Sequence, residues 1–347
     1  MHEYRPGGHS RRAALIRVLS RIFVRTTLAW WPLRGPVSRL MPLLDLAFRP
    51  LPRLRSTTYE RVTGGTWRAE LVRPREAAPP ADDAPTAGDG PAAGALLYLH
   101  GGAFLFCGLA THRRVVERLA LRTGLPVLSV DYRQLPKGLL DASLADALDA
   151  YRWLLGQGYA PGSIVCVGDS AGGHLAFAVA LAARRAGLAG PGGVVGLSPW
   201  LDFDSDAKLA YPGARRDVFI PARRLARAGR MCTGTAAGTA VDPLRSPVNG
   251  ELADLPTVLI QCAEDEVLRY DAELMAERLA AAGIRHTLQV WQGQVHAFPV
   301  LGNALPESRA ALDEITAFVR EVLATGTAAA APASTEQISA DQAKPAS

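Results

Sequence analysis

Ile164-Val165-Cys166-Val167-Gly168-Asp169-Ser170-Ala171-Gly172-Gly173-His174-Leu175-Ala176-Phe177 decides how the rest of the chain is read. Four apolar residues, three of them β-branched, predict a buried strand over Ile164–Val167. The run Gly172–Arg185 predicts a helix directly behind it. Between them a Gly-x-Ser-x-Gly turn puts a serine where strand becomes helix. The flanking glycines let the backbone reverse without a Cβ clash. The plain alternative is an ordinary glycine-rich turn between a strand and a helix. Strand before and helix after is the context that a nucleophilic serine requires.

Outward from this stretch the pattern alternates with short connections. Strands are predicted at Ala95–Leu99, Pro126–Val130, Val194–Leu197, Thr257–Cys262 and His286–Trp291. Helices are predicted at Val115–Arg122, Ala142–Leu155, Ala272–Ala282 and Glu307–Leu323. Near-continuous Val, Ile and Leu in the strands implies a mostly parallel sheet with helices on both faces. Ahead of it, Ser56–Thr63 and Thr66–Arg73 flank Gly64-Gly65 as in a hairpin, and residues 76–94 read as a solvated loop.

The division expected is a basic helical cap segment over 1–60 and a catalytic domain over 61–325, with a lid inserted at 201–250. A disordered Ala/Pro/Ser-rich tail is expected over 326–347.

Length and composition, 347 residues with 48% hydrophobic and 20% charged, suit a globular protein with a large core. They exclude a wholly disordered chain, and no run of 18 apolar residues is present to span a membrane. Cys107, Cys166, Cys232 and Cys262 are scattered, without the spacing of a zinc site or a disulfide framework.

The net charge of +5 is unevenly spread: residues 1–60 carry eleven Arg against Glu3, Asp45 and Glu60. The remainder is therefore mildly acidic, which excludes nucleic acid as its natural partner. Ser10 to about Leu54 reads as two helices broken at Trp31-Pro32 and Gly35-Pro36. Within it Arg17, Arg21 and Arg25 recur every four residues among Leu15, Leu19, Ile22 and Phe23, and they interrupt any secretory apolar region. The plain reading of residues 10–31 is a helix packed on the domain behind it. The sharper one is a peripheral contact with anionic membrane. The cytoplasm is the default location, with membrane association attached to that sharper reading.

A second motif, His100-Gly101-Gly102-Ala103-Phe104, follows the strand Ala95–Leu99. Acyl transfer needs donors aimed at the oxyanion that forms on the attacked carbonyl. Adjacent glycines leave backbone N–H groups unshielded, so Gly102 and Ala103, with Ala171 behind the serine, are the candidate donors. Asp202-x-Asp204-x-Asp206 imitates the start of a calcium loop. Ala207 and Gly213 stand where that loop needs Gly and Glu, so a solvated loop is expected. No phosphate-cradling or dinucleotide-binding glycine motif occurs, and neither metal nor cofactor is implied.

At these two motifs the chain resembles the hormone-sensitive-lipase-like branch of α/β-hydrolases. Asp131-Tyr132-Arg133, Tyr151-Arg152-Trp153, Ser198-Pro199-Trp200, Ser246-Pro247 and Val295-His296-Ala297-Phe298 extend the likeness over about residues 95–325. Ala103 replaces the last glycine of that branch's His-Gly-Gly-Gly loop, and Leu135-Pro136-Lys137-Gly138-Leu139-Leu140 replaces its usual Ala-Pro-Glu-rich stretch. The resemblance implies an α/β-hydrolase fold, a mostly parallel central sheet with helices on both faces and a helical cap. It also implies hydrolysis of short- to medium-chain carboxylic esters through an acyl-enzyme on Ser170. Lactone or N-acetyl hydrolysis, membrane-associated lipolysis and a catalytically inert binder are the rivals. The partner expected is a small-molecule ester, and the oligomeric state is not legible.

A serine needs a base, and the base an orienting acid, in the chain order Ser, acid, His. Of seven histidines only His296 sits on a loop after a late strand. For the acid, family spacing counted forward from Pro256 gives Asp265, while counting back from Leu279 and His296 gives Glu266. Asp265 is placed first and Glu266 is the alternative.

Overall fold

The computed structural model describes residues 2–5, 9–32, 43–75, 94–236, 239–241 and 245–330. Nine strands form one sheet among them: β1 (His2–Arg5), β2 (Thr57–Thr63), β3 (Arg68–Pro74), β4 (Ala95–Leu99), β5 (Val127–Asp131), β6 (Ile164–Asp169), β7 (Gly193–Leu197), β8 (Thr257–Ala263) and β9 (His286–Trp291). Their order is β1-β9-β8-β7-β6-β4-β5-β3-β2. Only the β2–β3 and β3–β5 pairings are antiparallel, with Thr63 opposite Arg68 across the hairpin.

Every residue of β4, β6 and β7 is buried, which explains their unbroken apolar runs. The helices begin with α1 (Arg11–Leu19), a π-helical stretch Ser20–Val24, α2 (Arg25–Trp30) and α3 (Leu43–Phe48). Then come α4 (Leu109–Thr123), α5 (Leu140–Gly156) and α6 (Ala171–Arg185). The segment between β7 and β8, the one expected to be the lid, holds α7 (Asp206–Ala210), α8 (Pro212–Arg216) and α9 (Ala222–Thr233). Last are α10 (Arg269–Ala281) and α11 (Pro306–Ala330).

α4 and α11 pack on one face of the sheet through Val115, Val116, Leu119, Leu312, Ile315 and Val319. α5, α6 and α10 cover the other, where Tyr151, Phe177 and Met275 are fully buried. The strand order turns at β4 and β6, which lie side by side although β5 intervenes in sequence. The crevice beyond the carboxyl ends of such strands is where open α/β sheets place their sites.

Two expectations need correcting. The first 60 residues are not cap alone, because His2–Arg5 adds an edge strand parallel to β9 and β2 starts at Thr57. His2-Glu3-Tyr4-Arg5, ahead of Pro6, carries no strand pattern of its own, and the open edge of β9 supplies the hydrogen bonds. The final helix continues to Ala330, past the expected start of a tail at 326, because its alanine-rich end favours helix. Residues 331–347, the Gly35-Pro36 break and residues 76–93 of the solvated loop lie outside the described residues. At Trp31 the helix does end, on an extended φ/ψ ahead of Pro32.

Candidate active site

The serine turn is tight because its glycines leave no room for anything else. A Cβ on Gly168 would strike the Gly172 carbonyl, and one on Gly172 would strike the Leu99 carbonyl, so the elbow rests directly on the end of β4. Ser170 itself sits at φ +53°, ψ −116°. That backbone costs an L-residue about 1–3 kcal/mol and persists only where its surroundings impose it. Here the Ser170 N–H donates to Leu197 O at 2.9 Å, and its carbonyl accepts from Trp200 N at 3.0 Å and His174 N at 3.1 Å. The serine is 7% exposed and stands at the N-terminus of α6, where the helix dipole is positive.

The glycine loop after β4 closes against this elbow. Gly101 N–H donates to Asp169 Oδ1 at 3.0 Å, and the same oxygen accepts the Tyr98 hydroxyl at 2.8 Å. His112 Nε2 lies 3.3 Å from the other oxygen, Oδ2. Burial opposes the Asp169 charge, but His112 and Tyr98 outweigh it and hold the carboxyl below the usual carboxylate range.

Gly102, Ala103 and Phe104 follow with φ of +120°, +54° and +59°. Successive residues in such conformations turn their N–H groups into one concave nest. The N–H groups of Gly102, Ala103 and Ala171 donate to no described protein atom, whereas the Gly102 carbonyl is used by Leu105 N and Phe106 N at 2.9 and 3.1 Å. The three expected donors therefore stand free beside Ser170's strand-to-helix turn.

His296 follows β9 on a loop fixed by its neighbour, since Ala297 N–H donates to Ser198 Oγ at 2.9 Å. Its Nδ1 lies 2.7 Å from Glu266 Oε2. The other oxygen of Glu266 accepts Ala263 N–H at 3.0 Å, and the carboxylate is 1% exposed. Burial pulls the imidazole pKa down; the hydrogen bond and charge of Glu266, with Asp217 and Asp169 behind it, outweigh burial and raise it above 6.5.

Asp265 is elsewhere. It pairs with Arg17 at 3.2 Å and Arg216 at 2.8 Å on the lid side of the turn. The acid placed first from spacing is thus not the carboxylate that meets the ring. β8 runs one residue beyond its expected end, to Ala263, and the turn that follows brings Glu266 inward. The structure brings together Ser170's elbow, the glycine loop, Glu266 and His296, each at the carboxyl end of a strand, and leaves Asp265 outside.

Sequence reasoning gave no role to Asp169, Tyr98, His112 or Ser198. Asp169 lies inside the quoted motif, but nothing in the sequence pairs it with a histidine 57 positions away. His100 is fully buried, stacks on Tyr132 at 4.5 Å, and is pulled down to about 4, so it stays neutral under the loop.

A groove of about 710 Å³ runs between the lid and α10, lined by Asp202, Asp204, Asp206, Arg230, Tyr270 and Arg278 among others. Asp202 is buried rather than solvated, and its carboxylate accepts Asp204 N–H at 2.9 Å. Among the described residues no group of three or more His, Cys, Asp or Glu is arranged to hold a metal ion. The four cysteines are free, and burial pushes Cys166 up to about 12.

A family model described as the alpha/beta hydrolase fold matches residues 96–300. The esterase LipU of Mycobacterium tuberculosis is 43% identical over 236 residues, which is 67% of this chain and 78% of that protein. The carboxylesterase/phospholipase LipF of the same organism is 40% identical over 66% of this chain and 62% of its own length. An acetyl-hydrolase of Streptomyces hygroscopicus is 36% identical over 67% of this chain and 77% of that protein. Among solved structures, an esterase from the bacterial hormone-sensitive lipase family superposes with a TM-score of 0.76 at 29% identity, covering 91% of this chain and all of the other.

Proposed function

The chain belongs to the α/β-hydrolase fold family and is a carboxylic ester hydrolase; from that premise we propose that Ser170 is its nucleophile, His296 its base and Glu266 the acid that orients the base. The observation that carries the assignment is the buried 2.7 Å contact between His296 Nδ1 and Glu266 Oε2.

With Nδ1–H donated to Glu266, the free lone pair is at Nε2, the tautomer a base needs. Ser170 Oγ attacks the acyl carbon as Nε2 takes its proton. The oxyanion is received by the N–H groups of Gly102, Ala103 and Ala171. Glu266 stabilises the imidazolium, which then protonates the departing alcohol. Water, deprotonated by His296, opens the acyl-enzyme and releases the carboxylic acid and Ser170.

The acyl group we propose is short to medium in length, in keeping with the acetyl-hydrolase among the relatives. Hydrolysis of p-nitrophenyl esters from acetyl to palmitoyl tests both points. Turnover should fall with chain length and vanish in Ser170→Ala, whose kcat should drop by about 10⁵-fold or more. Turnover retained in Ser170→Ala would overturn the assignment of the nucleophile.

A peripheral membrane contact through residues 10–31 is the second reading, favoured by one observation. Leu15, Val18, Leu19, Ile22, Phe23 and Trp30 face solvent on the described helix, with Arg11, Arg12 and Arg21 exposed beside them. Apolar residues among cations suit an anionic lipid surface. Co-sedimentation with phosphatidylglycerol vesicles at low salt should retain the protein and release it as salt rises; absence of binding at low salt would sink the idea.

A further inference from the structure

The lid does more than cover the site. Between α8 and α9 the chain runs Asp217-Val218-Phe219-Ile220-Pro221, and the Asp217 side chain is buried inside that turn. Its Oδ1 accepts the N–H groups of Phe219 at 2.7 Å and Ile220 at 2.9 Å, which closes the turn on itself. Its Oδ2 reaches out of the lid and accepts Val267 N–H at 2.9 Å. Val267 is the residue immediately after Glu266.

Three further contacts point the same way. The Phe219 ring lies 5.6 Å from the His296 ring. Val218 packs with Trp291, Val295 and Phe298, the residues on either side of His296. A side chain at Gly213 on α8 would press on the Glu266 carbonyl, so lid and acid loop are in direct backbone contact. From outside, Arg25 of α2 donates Nη1 to the Asp217 carbonyl at 2.7 Å and the Ile220 carbonyl at 2.8 Å, bracing the same turn.

No hydrogen bond or ion pair joins the Asp217 carboxylate to a described cationic side chain; the carboxylate is held by backbone N–H groups alone. Burial and the nearby Glu266 make that an expensive place for a charge, and the carboxyl is pushed up to about 6. A buried carboxylate spent on three backbone donors, two in the lid and one in the acid loop, fixes the lid relative to the acid.

We propose that Asp217 is a positioning residue of the ester hydrolysis: through Val267 it sets the backbone that carries Glu266, and through its own turn it sets Phe219 against His296. This rests on the reading of Glu266 and His296 as acid and base. The lid is then part of the acid–base geometry, and an error there is felt as slower chemistry with little change in substrate binding. Misplacement of a reacting group by about 1 Å is enough to cost about 100-fold in rate.

The test compares Asp217→Ala, Asp217→Asn and Arg25→Met in the full chain, with Glu266→Gln as reference and p-nitrophenyl acetate as substrate. Asp217→Ala should lower kcat by about 10- to 100-fold with KM within about threefold. Asp217→Asn, with one acceptor oxygen left for two sets of donors, should fall between it and wild type. Arg25→Met should lower kcat by a few-fold in the same sense.

The low-field proton resonance of His296 Nδ1–H gives a readout independent of turnover, and it should shift or broaden in the two Asp217 variants. If Asp217→Ala does not fold, Asp217→Asn and Arg25→Met decide. A raised KM at unchanged kcat would make the turn only a wall of the pocket and overturn the proposal. So would an unmoved Nδ1 proton. Should Glu266→Gln itself keep full activity, the underlying acid assignment fails rather than the role of the lid.

Discussion

The serine elbow with its glycine loop and the acid loop with its lid lie at the same edge of one sheet, yet they are built on different principles. At the elbow the conformation is set by near neighbours: the positive φ of Ser170 and Gly102 and the glycines whose Cβ atoms would meet backbone. At the acid loop two adjacent carboxylates look alike in the sequence and are sorted largely by distant partners. Glu266 turns in to His296 and Ala263, while Asp265 turns out to Arg17 and Arg216. A site can thus be half encoded in backbone strain and half in tertiary contact. The two halves should fail differently.

The sharpest way to break the first half is Gly102→Ala. At φ +120° with its Cβ aimed at the Phe106 carbonyl, the loop must move and its N–H groups leave the oxyanion position. Loss of that donor geometry should cost about 10²- to 10³-fold in kcat for p-nitrophenyl acetate. A variant with near-wild-type kcat would show that the loop's donors are not used.

Asp169→Asn probes the joint between elbow and glycine loop more gently, because the amide oxygen can still accept from Gly101 and Tyr98. It removes the charge facing His112, should destabilise the fold by about 1–3 kcal/mol in urea unfolding, and should lower kcat by about 10-fold through the shifted loop. An unchanged kcat would show that the brace does not set the donors.

Arg17→Met is expected to do least. The Arg17–Asp265 pair is partly solvated, with side chains 23% and 20% exposed, so stability should change by about 0.2–1 kcal/mol and kcat by no more than about twofold. A large loss of kcat would mean that Asp265 matters to catalysis after all.

What could be read from the sequence follows the same division. Ile164–Val167, Gly-Asp-Ser-Ala-Gly and the helix behind it state their geometry in a dozen residues, because a nucleophile elbow is a local object. His100-Gly101-Gly102 is equally local. Spacing alone could not choose between Asp265 and Glu266, since the answer depends on where β8 ends and on lid residues some 50 positions earlier.

The N-terminal segment hid its arrangement for a related reason. Its arginines recur every four residues among apolar side chains, yet Arg17 and Arg25 turn inward to Gln294 O, Asp265 and the carbonyls of Asp217 and Ile220, while Leu15, Ile22 and Phe23 face outward. Long guanidinium stems reach backbone acceptors that no periodicity reveals. The strand His2–Arg5 is defined only by the edge of β9 that it joins.

The central claim is that Glu266, and not Asp265, orients His296. The most direct test is kcat/KM against pH for wild type, Glu266→Gln and Asp265→Asn with one p-nitrophenyl ester. The base must be neutral to act, so activity rises with pH through the His296 pKa, and the raised imidazole places the wild-type midpoint above 6.5. Glu266→Gln should lower kcat by about 10²- to 10⁴-fold. It should also move the remaining midpoint to lower pH, because burial is then opposed only by the more distant Asp217 and Asp169. Asp265→Asn should leave height and midpoint within about threefold and a few tenths of a pH unit of wild type. A collapse in Asp265→Asn beside an active Glu266→Gln would contradict the account.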